Sequence, residues 1–170
     1  MQEKGFIAFE FNTSTIRLCR SVLSREGRKI THCLSLEAGD SEPETPRKIR
    51  DLIKINRFKK NNFVLMLPRY IAISRFLKLP AREHKEIEEM VRLRTMRETL
   101  ASDLENIIYD WRLIGHDKEG YSLVTLFIAR RDRINRYLEV MEDAGIMPEF
   151  VTLNTSGFLN IAAFPIPGFA

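Results

Sequence analysis

The chain has 170 residues, 44% of them hydrophobic and 29% charged. That is a globular composition with enough apolar side chains for a real core, and it excludes a disordered chain. Lys and Arg number 27 against 23 Asp and Glu, a net charge of +4. The acids are interleaved with the bases, so no nucleic-acid partner is expected from this small surplus.

Residues 1–5 read as the lead into a short apolar strand over 6–11 rather than as a signal sequence. Asn12, Thr13 and Ser14 are small polar residues that compete for backbone hydrogen bonds, and they predict a turn. Residues 15–23 alternate, with Ile16, Leu18 and Val22 separated by Arg17 and Arg20, the period of a half-buried strand. A turn at 26–28 and a third strand over 29–36 complete an antiparallel meander. The stretch 39–46 is a polar loop. Thr45 and Pro46 then read as a cap and first residue of a helix carrying Ile49, Leu52 and Ile53. That helix ends near the basic run 57–60, where cations suit the dipole.

Residues 63–67 are unbroken and apolar, as in a strand buried on both faces. An extended stretch over 70–79 stops at Pro80. A helix over 81–100 carries acids early and arginines late, with Ile87, Met90, Val91, Leu93, Met96 and Leu100 as its apolar side. Strands over 107–114 and 121–129 flank a turn holding Gly115, Asp117 and Gly120. A helix over 132–144 places Ile134, Tyr137, Leu138 and Met141 on one stripe, with Gly145 as a left-handed cap and Pro148 beyond it. A short strand over 149–153 and a helix over 155–163 end the pattern. The uncharged stretch 151–170 contains Asn154, Ser156, Gly157, Asn160 and three Pro or Gly residues near its end, too polar and broken for a membrane span. Its exposed-looking phenylalanines suggest that the natural chain continues.

This order predicts an α/β fold with a mixed sheet on the ribonuclease-H-like, actin-like plan, with a small α/β block inserted from Tyr70. Little in it points to catalysis. His32, His84 and His116 form no metal-ligand pair, and no metal is expected. Neither a phosphate-cradling glycine motif nor a nucleophile elbow occurs. Glu10 is an acid inside the first strand. In ribonuclease-H-like folds such an acid holds a catalytic metal, but only with further acids beside it. Glu37 and Asp110 do not complete that set, so Glu10 is expected at the mouth of the sheet, half solvated or bonded to turn amides. Cys19 and Cys33 read as buried reduced thiols, consistent with a reducing compartment. Trp111 reads as a core or interface aromatic with Asp110 and Arg112 on the opposite strand face. Arg57, Lys59, Lys60, Arg130 and Arg131 read as solvated charges.

The segment 7–18, IAFEFNTSTIRL, resembles the first phosphate loop of actin-like ATPases. There an apolar strand is followed by Asp, an apolar residue, Gly, small hydroxyl residues and Lys. Residues 62–80 (NFVLMLPRYIAISRFLKLP), 85–91 (KEIEEMV), 109–111 (YDW) and 126–148 (LFIARRDRINRYLEVMEDAGIMP) are similar to the type IV pilus assembly family PilM. They are also similar to the related cytoplasmic domain of the type II secretion protein GspL. The resemblance covers about 6–160.

The resemblance implies an actin-like amino-terminal lobe of the FtsA type. Residues 1–68 form its first part, 69–148 an inserted subdomain and the return, and 149–170 the last strand and helix. A second lobe that completes the nucleotide cleft would lie outside these residues. By the same resemblance Glu10, Asn12, Thr13, Ser14, Thr15 and Arg17 stand at phosphate-loop positions. Glu10 replaces the Asp, Asn12 the Gly and Arg17 the Lys. Asn12 tolerates a left-handed turn, but the longer acid and the added side chain crowd a phosphate. No cofactor is therefore expected here, and ATP with magnesium only in a longer parent. The implied function is a non-enzymatic cytoplasmic scaffold at the inner membrane, reaching the membrane only through partners. A PilN-like protein's tail would dock on it, with self-association through the insert. The alternatives are a GspL-like component binding the secretion ATPase, or half of an actin-like ATPase.

Overall fold

The computed structural model describes residues 5–25, 27–38, 44–58, 62–99 and 105–155. In chain order its elements are β1 (Gly5–Phe11), β2 (Thr15–Ser24), β3 (Gly27–Glu37), α1 (Glu44–Ile55), β4 (Phe63–Leu67), a 3-10 turn (Arg69–Ile71), β5 (Ala72–Leu79), α2 (His84–Glu98), β6 (Ile107–His116), β7 (Ser122–Arg130), α3 (Arg131–Asp143) and β8 (Phe150–Leu153). They divide into two compact units, Met1–Arg69 with Asn135–Ala170, and Tyr70–Ile134.

The first unit is built on β1. Ile7, Phe9 and Phe11 are buried, and Ala8 and Glu10 between them are half-buried. Period-2 alternation of this kind gives a strand one core face and one open face. β1 pairs antiparallel with β2 and parallel with β4, and β8 adds parallel to β4. The strand order is β3-β2-β1-β4-β8. This mixed sheet is the ribonuclease-H-like arrangement expected from the sequence. Phe9 meets Phe63 with ring centroids 5.9 Å apart, and Phe11 meets the edge of Tyr137 from α3 at 5.4 Å. Each fully buried phenylalanine contributes about 1.5–3 kcal/mol through removal from water.

α1 begins at Glu44, so Thr45 lies within its first turn instead of capping it. Pro46 is tolerated there because the first-turn amides have no intrahelical partner. The far end closes by a reciprocal cap. Arg57 donates its amide to the Lys54 carbonyl and Phe58 to that of Ile53, both at 3.1 Å. Arg57 takes a left-handed φ of 52° to do so, and buried Phe58 packs the end of the helix. The equivalent cap on α3 uses the expected glycine. Gly145, at φ 75°, donates to Glu142 and Ile146 donates to Met141. β4 differs from expectation in one respect. Phe63, Leu65 and Leu67 are buried, but Val64 and Met66 are only half-buried, so one face of this strand is more open than the other. Residue 155 opens a helical turn, and the rest of the expected helix over 155–163 lies outside the described residues.

In the second unit, antiparallel β5, β7 and β6 form a sheet with β7 central. Leu77, Leu79, Val124, Leu126 and Ile128 pack with Ile87 and Val91 of α2, and Trp111 is partly buried against them. The stretch expected to be extended from residue 70 starts with the 3-10 turn, and the strand begins at Ala72. α2 is shorter than its sequence pattern, and its buried line is Ile87, Val91 and Thr95. Leu93 and Met96, expected on the apolar side, are 52% and 43% exposed. Thr95 occupies the buried position because its hydroxyl donates back to the Val91 carbonyl at 2.9 Å.

The β6–β7 turn is held by Asp117. Its Oδ1 accepts the amides of Glu119 at 3.0 Å and Tyr121 at 2.8 Å, and its Oδ2 lies 2.7 Å from Lys78 Nζ. Lys78 also pairs with Glu119 at 2.7 Å. Gly120 takes φ 91°, which a side chain would resist. Hydrogen bonding from Lys78 lowers the Asp117 carboxyl below its ordinary value, and hydrogen bonding to Asp117 raises the Lys78 ammonium. A depressed acid stabilises the folded turn above its unfolded pKa, about 3.9, and that stability is lost as pH falls through the lower folded value. Amide exchange of Glu119 and Tyr121 should therefore stay protected at pH 5 and lose protection only well into the acid range. Lys78→Met should move that loss toward higher pH. An unchanged exchange profile in the variant would contradict the role given to Lys78.

Candidate functional site

Because β1, β4 and β8 are parallel, their carboxyl ends, Phe11, Leu67 and Leu153, share one edge of the first unit's sheet. Ligands of open α/β sheets gather at this kind of edge. The turn 12–14 leaves β1 here, and Asn154 follows β8 here, its amide donating to the Leu67 carbonyl at 2.9 Å.

Glu10, Arg17, Asn12 and Asn154 are polar residues of this edge. Glu10 Oε2 lies 3.5 Å from Arg17 Nη1 across the β1–β2 ladder, where the two residues are directly opposite. Glu10 Oε1 accepts from Asn154 Nδ2 at 3.3 Å. Its partners are therefore a guanidinium and a side-chain amide, not the turn amides expected from the sequence. The Glu10 side chain keeps 25% of its surface exposed, and Arg17 keeps 64%. The pair is worth little in free energy but fixes where the carboxylate points. Asn12 closes the turn by donating its backbone amide to the Thr15 carbonyl at 2.9 Å. Its φ is not left-handed: among the described residues that conformation occurs outside glycine at Arg57 and Asn62. The type of turn that forms here does not need it. Thr13 and Ser14 are exposed and Thr15 is half-buried. The Ser14 carbonyl accepts from Ala38 at 2.9 Å, tying the turn to the end of β3.

Two buried polar atoms at this edge, Asn12 Nδ2 and Asn154 Oδ1, have no hydrogen-bond partner within the described chain. An unpaired buried polar atom costs about 1–3 kcal/mol. Asn154 was not singled out from the sequence. The available signal is its position, a polar residue directly after a strand; what the sequence does not show is that this strand runs parallel to β4, and β4 to β1.

The other candidates do not join this edge. Glu37 is exposed at the end of β3, and Asp110 belongs to the second unit, where its Oδ1 accepts the Trp111 amide at 2.8 Å. His32 packs edge-on against Phe58, His84 lies 4.9 Å from the Trp111 ring, and His116 is 3.1 Å from the Ser122 hydroxyl. Among the described residues no three His, Cys, Asp or Glu side chains group as a metal site. Cys19 and Cys33 correct the expectation of buried thiols: Cys19 is half-buried and Cys33 exposed. They face each other across β2 and β3 with sulfurs 3.7 Å apart, because the odd positions of β2 point away from buried Ile16 and Leu18.

The actin-like pattern takes magnesium and ATP, and this turn departs from it where a phosphate would approach. Glu10 is held in place by Arg17 at 3.5 Å and by Asn154 at 3.3 Å. A phosphate needs close approach of backbone amides at the turn, and Asn12 places a side chain where the pattern has none.

Among solved structures, the chain is similar to a chain of the PilM–PilN type IV pilus biogenesis complex. The identity is 18%, the match covers 95% of this chain and 51% of that one, and the TM-score is 0.75. It is also similar to the cytoplasmic domain of EpsL, an inner membrane component of the type II secretion system of Vibrio cholerae. There the identity is 14%, coverage 97% and 61%, and the TM-score 0.59. At such identities the likeness shows a shared fold. The chain spans about half the length of the first of these and three-fifths of the second. No family profile matches the sequence, and no curated protein does.

The state of Glu10 and Asn12 has a direct consequence in solution. Calorimetric titration of the chain with magnesium and ATP, taken to millimolar nucleotide, is expected to give no saturable heat. A clear saturable isotherm would contradict the reading of this edge.

Proposed function

We propose that the chain is part of a non-enzymatic scaffold of the type IV pilus assembly machinery. Its role is to hold the cytoplasmic tail of a PilN-like inner-membrane protein. One observation carries this reading: the five-stranded lobe and the inserted three-stranded unit together follow the fold of a chain from the PilM–PilN complex over 95% of their length. The sequence segments at 62–80 and 126–148 resemble the same family.

The proposal puts the chain in the cytoplasm, attached to the inner membrane through its partner. Among the described residues no helix is long and apolar enough to cross a membrane. It assigns no reaction to the chain. The degenerate phosphate loop formed by Glu10, Asn12, Thr13, Ser14, Thr15 and Arg17 is a structural turn in this reading, and any ATP binding belongs to a longer parent. An extended tail gains affinity by placing alternate side chains in pockets, with main-chain hydrogen bonds adding to it. Self-association through the inserted unit is compatible with this role.

A second reading has its own observation. The likeness to the cytoplasmic domain of EpsL, over 97% of the chain, supports a type II secretion component that binds the secretion ATPase.

The two readings separate in one binding experiment. The chain is immobilised and exposed to a synthetic peptide of the amino-terminal tail of the PilN-like protein from the same genome, to its scrambled counterpart, and to the secretion ATPase. Saturable binding of the tail, absent with the scrambled peptide, is expected. Binding of the ATPase with no response to the tail would overturn the pilus assignment in favour of the second reading.

A further inference from the structure

Cys19 and Cys33 occupy directly opposed positions on β2 and β3. The Ala38 amide donates to the Ser14 carbonyl, which makes 14 and 38 a hydrogen-bonded pair. Hydrogen-bonded and non-hydrogen-bonded pairs alternate along an antiparallel ladder. Counting inward through Thr15 and Glu37, Ile16 and Leu36, Arg17 and Ser35, and Leu18 and Leu34, Cys19 and Cys33 fall on a non-hydrogen-bonded pair. At such a pair the Cα atoms are about 4.5 Å apart, inside the range of about 4.4–6.8 Å that a disulfide spans. The sulfurs already lie within 3.7 Å. The ladder bulge between Arg20 and Ser21 comes after this pair, so it does not disturb the register.

We propose that Cys19 and Cys33 form a dithiol site that a small disulfide oxidant, of the glutathione disulfide class, converts to an intrachain cross-strand disulfide. The two thiols have unequal roles. Cys33 is exposed on the edge strand β3, while Cys19 is half-buried. Burial, followed by the neighbouring Cys33 thiol, pushes Cys19 up to about 11, which makes it the poorer attacking group. Cys33 therefore reacts first. Its thiolate attacks one sulfur of glutathione disulfide, forming a mixed disulfide and releasing one glutathione thiolate. Cys19 then loses its proton and attacks the Cys33 sulfur, forming the intrachain bond and expelling the second glutathione. The chain loses two electrons and two protons, and one glutathione disulfide becomes two glutathione thiols. The product ties β2 to β3 two residues from Arg17, the partner of Glu10.

The test is made on the reduced 170-residue chain, incubated with glutathione disulfide and followed by intact mass under non-reducing conditions. The expected product is a monomer lighter by two hydrogens, with Cys19 and Cys33 joined in the peptide map and reversal by dithiothreitol. Closure from the mixed disulfide should be about tenfold or more slower in denaturing urea, where the ladder no longer aligns the sulfurs. Cys19→Ser should stop the reaction at a glutathione adduct on Cys33. Stable adducts on the unmutated chain, disulfide-linked dimers as the main product, or equal closure rates in water and urea would each overturn the proposal. Phenylarsine oxide gives an independent reading without mutation. One arsenic per chain held against excess monothiol is expected, and ready release by monothiol would overturn the pairing.

Discussion

The register of β1 is the constraint on which the rest of the first unit depends. Ile7, Phe9 and Phe11 are buried on one face, so a slip of one residue would turn all three outward and bury Phe6, Ala8 and Glu10 instead. Burial of a lone carboxylate in a core is prohibitive. With the register fixed, Glu10 must stand on the open face opposite Arg17, and Ala8 opposite Cys19. The same logic passes along β2 to β3 and aligns the two cysteines. Parallel pairing of β4 with β1 and of β8 with β4 then carries Asn154 to the edge where Asn12 and Glu10 already stand.

Much of this was legible in the sequence, for local reasons. The apolar run of β1, the alternation in β2, the turns at 12–14 and 117–120, and the glycine cap of α3 are read from hydrophobic patterning and from residues whose backbone preferences are narrow. The errors also have local causes. Thr45 followed by Pro46 looks like a cap and a first helical residue, but proline is accepted anywhere in the first turn, so the motif leaves the boundary loose. Leu93 and Met96 look like core on a helix that in fact buries one narrow line, with Thr95 in it because a threonine can bond back to its own helix. Hydrophobicity alone could not separate those cases. Arg57 as a left-handed cap was not legible, since that position is normally marked by glycine.

The candidate site was only half visible. Glu10 and the hydroxyl turn stood out as a charge inside an apolar strand and a cluster of small polar residues. Asn154 did not, because its relation to Glu10 is made by strand order across an inserted unit of the chain. The cysteine pairing was hidden for a related reason: facing positions on a hairpin follow from the register, and the bulge at Arg20 makes a register counted from the 26–28 turn come out one residue wrong.

The register claim is open to a direct measurement. Asn12 donates to the Thr15 carbonyl, so 12 and 15 are a hydrogen-bonded pair and Phe11 with Ile16, and Phe9 with Leu18, are non-hydrogen-bonded ones. In such pairs the α protons are close enough to give strong nuclear Overhauser cross-peaks. A spectrum of the labelled chain should show α-proton cross-peaks between Phe11 and Ile16, between Phe9 and Leu18, and between Cys19 and Cys33. Cross-peaks displaced by one residue, such as Glu10 with Ile16 or Leu18 with Cys33, would contradict the account at its root.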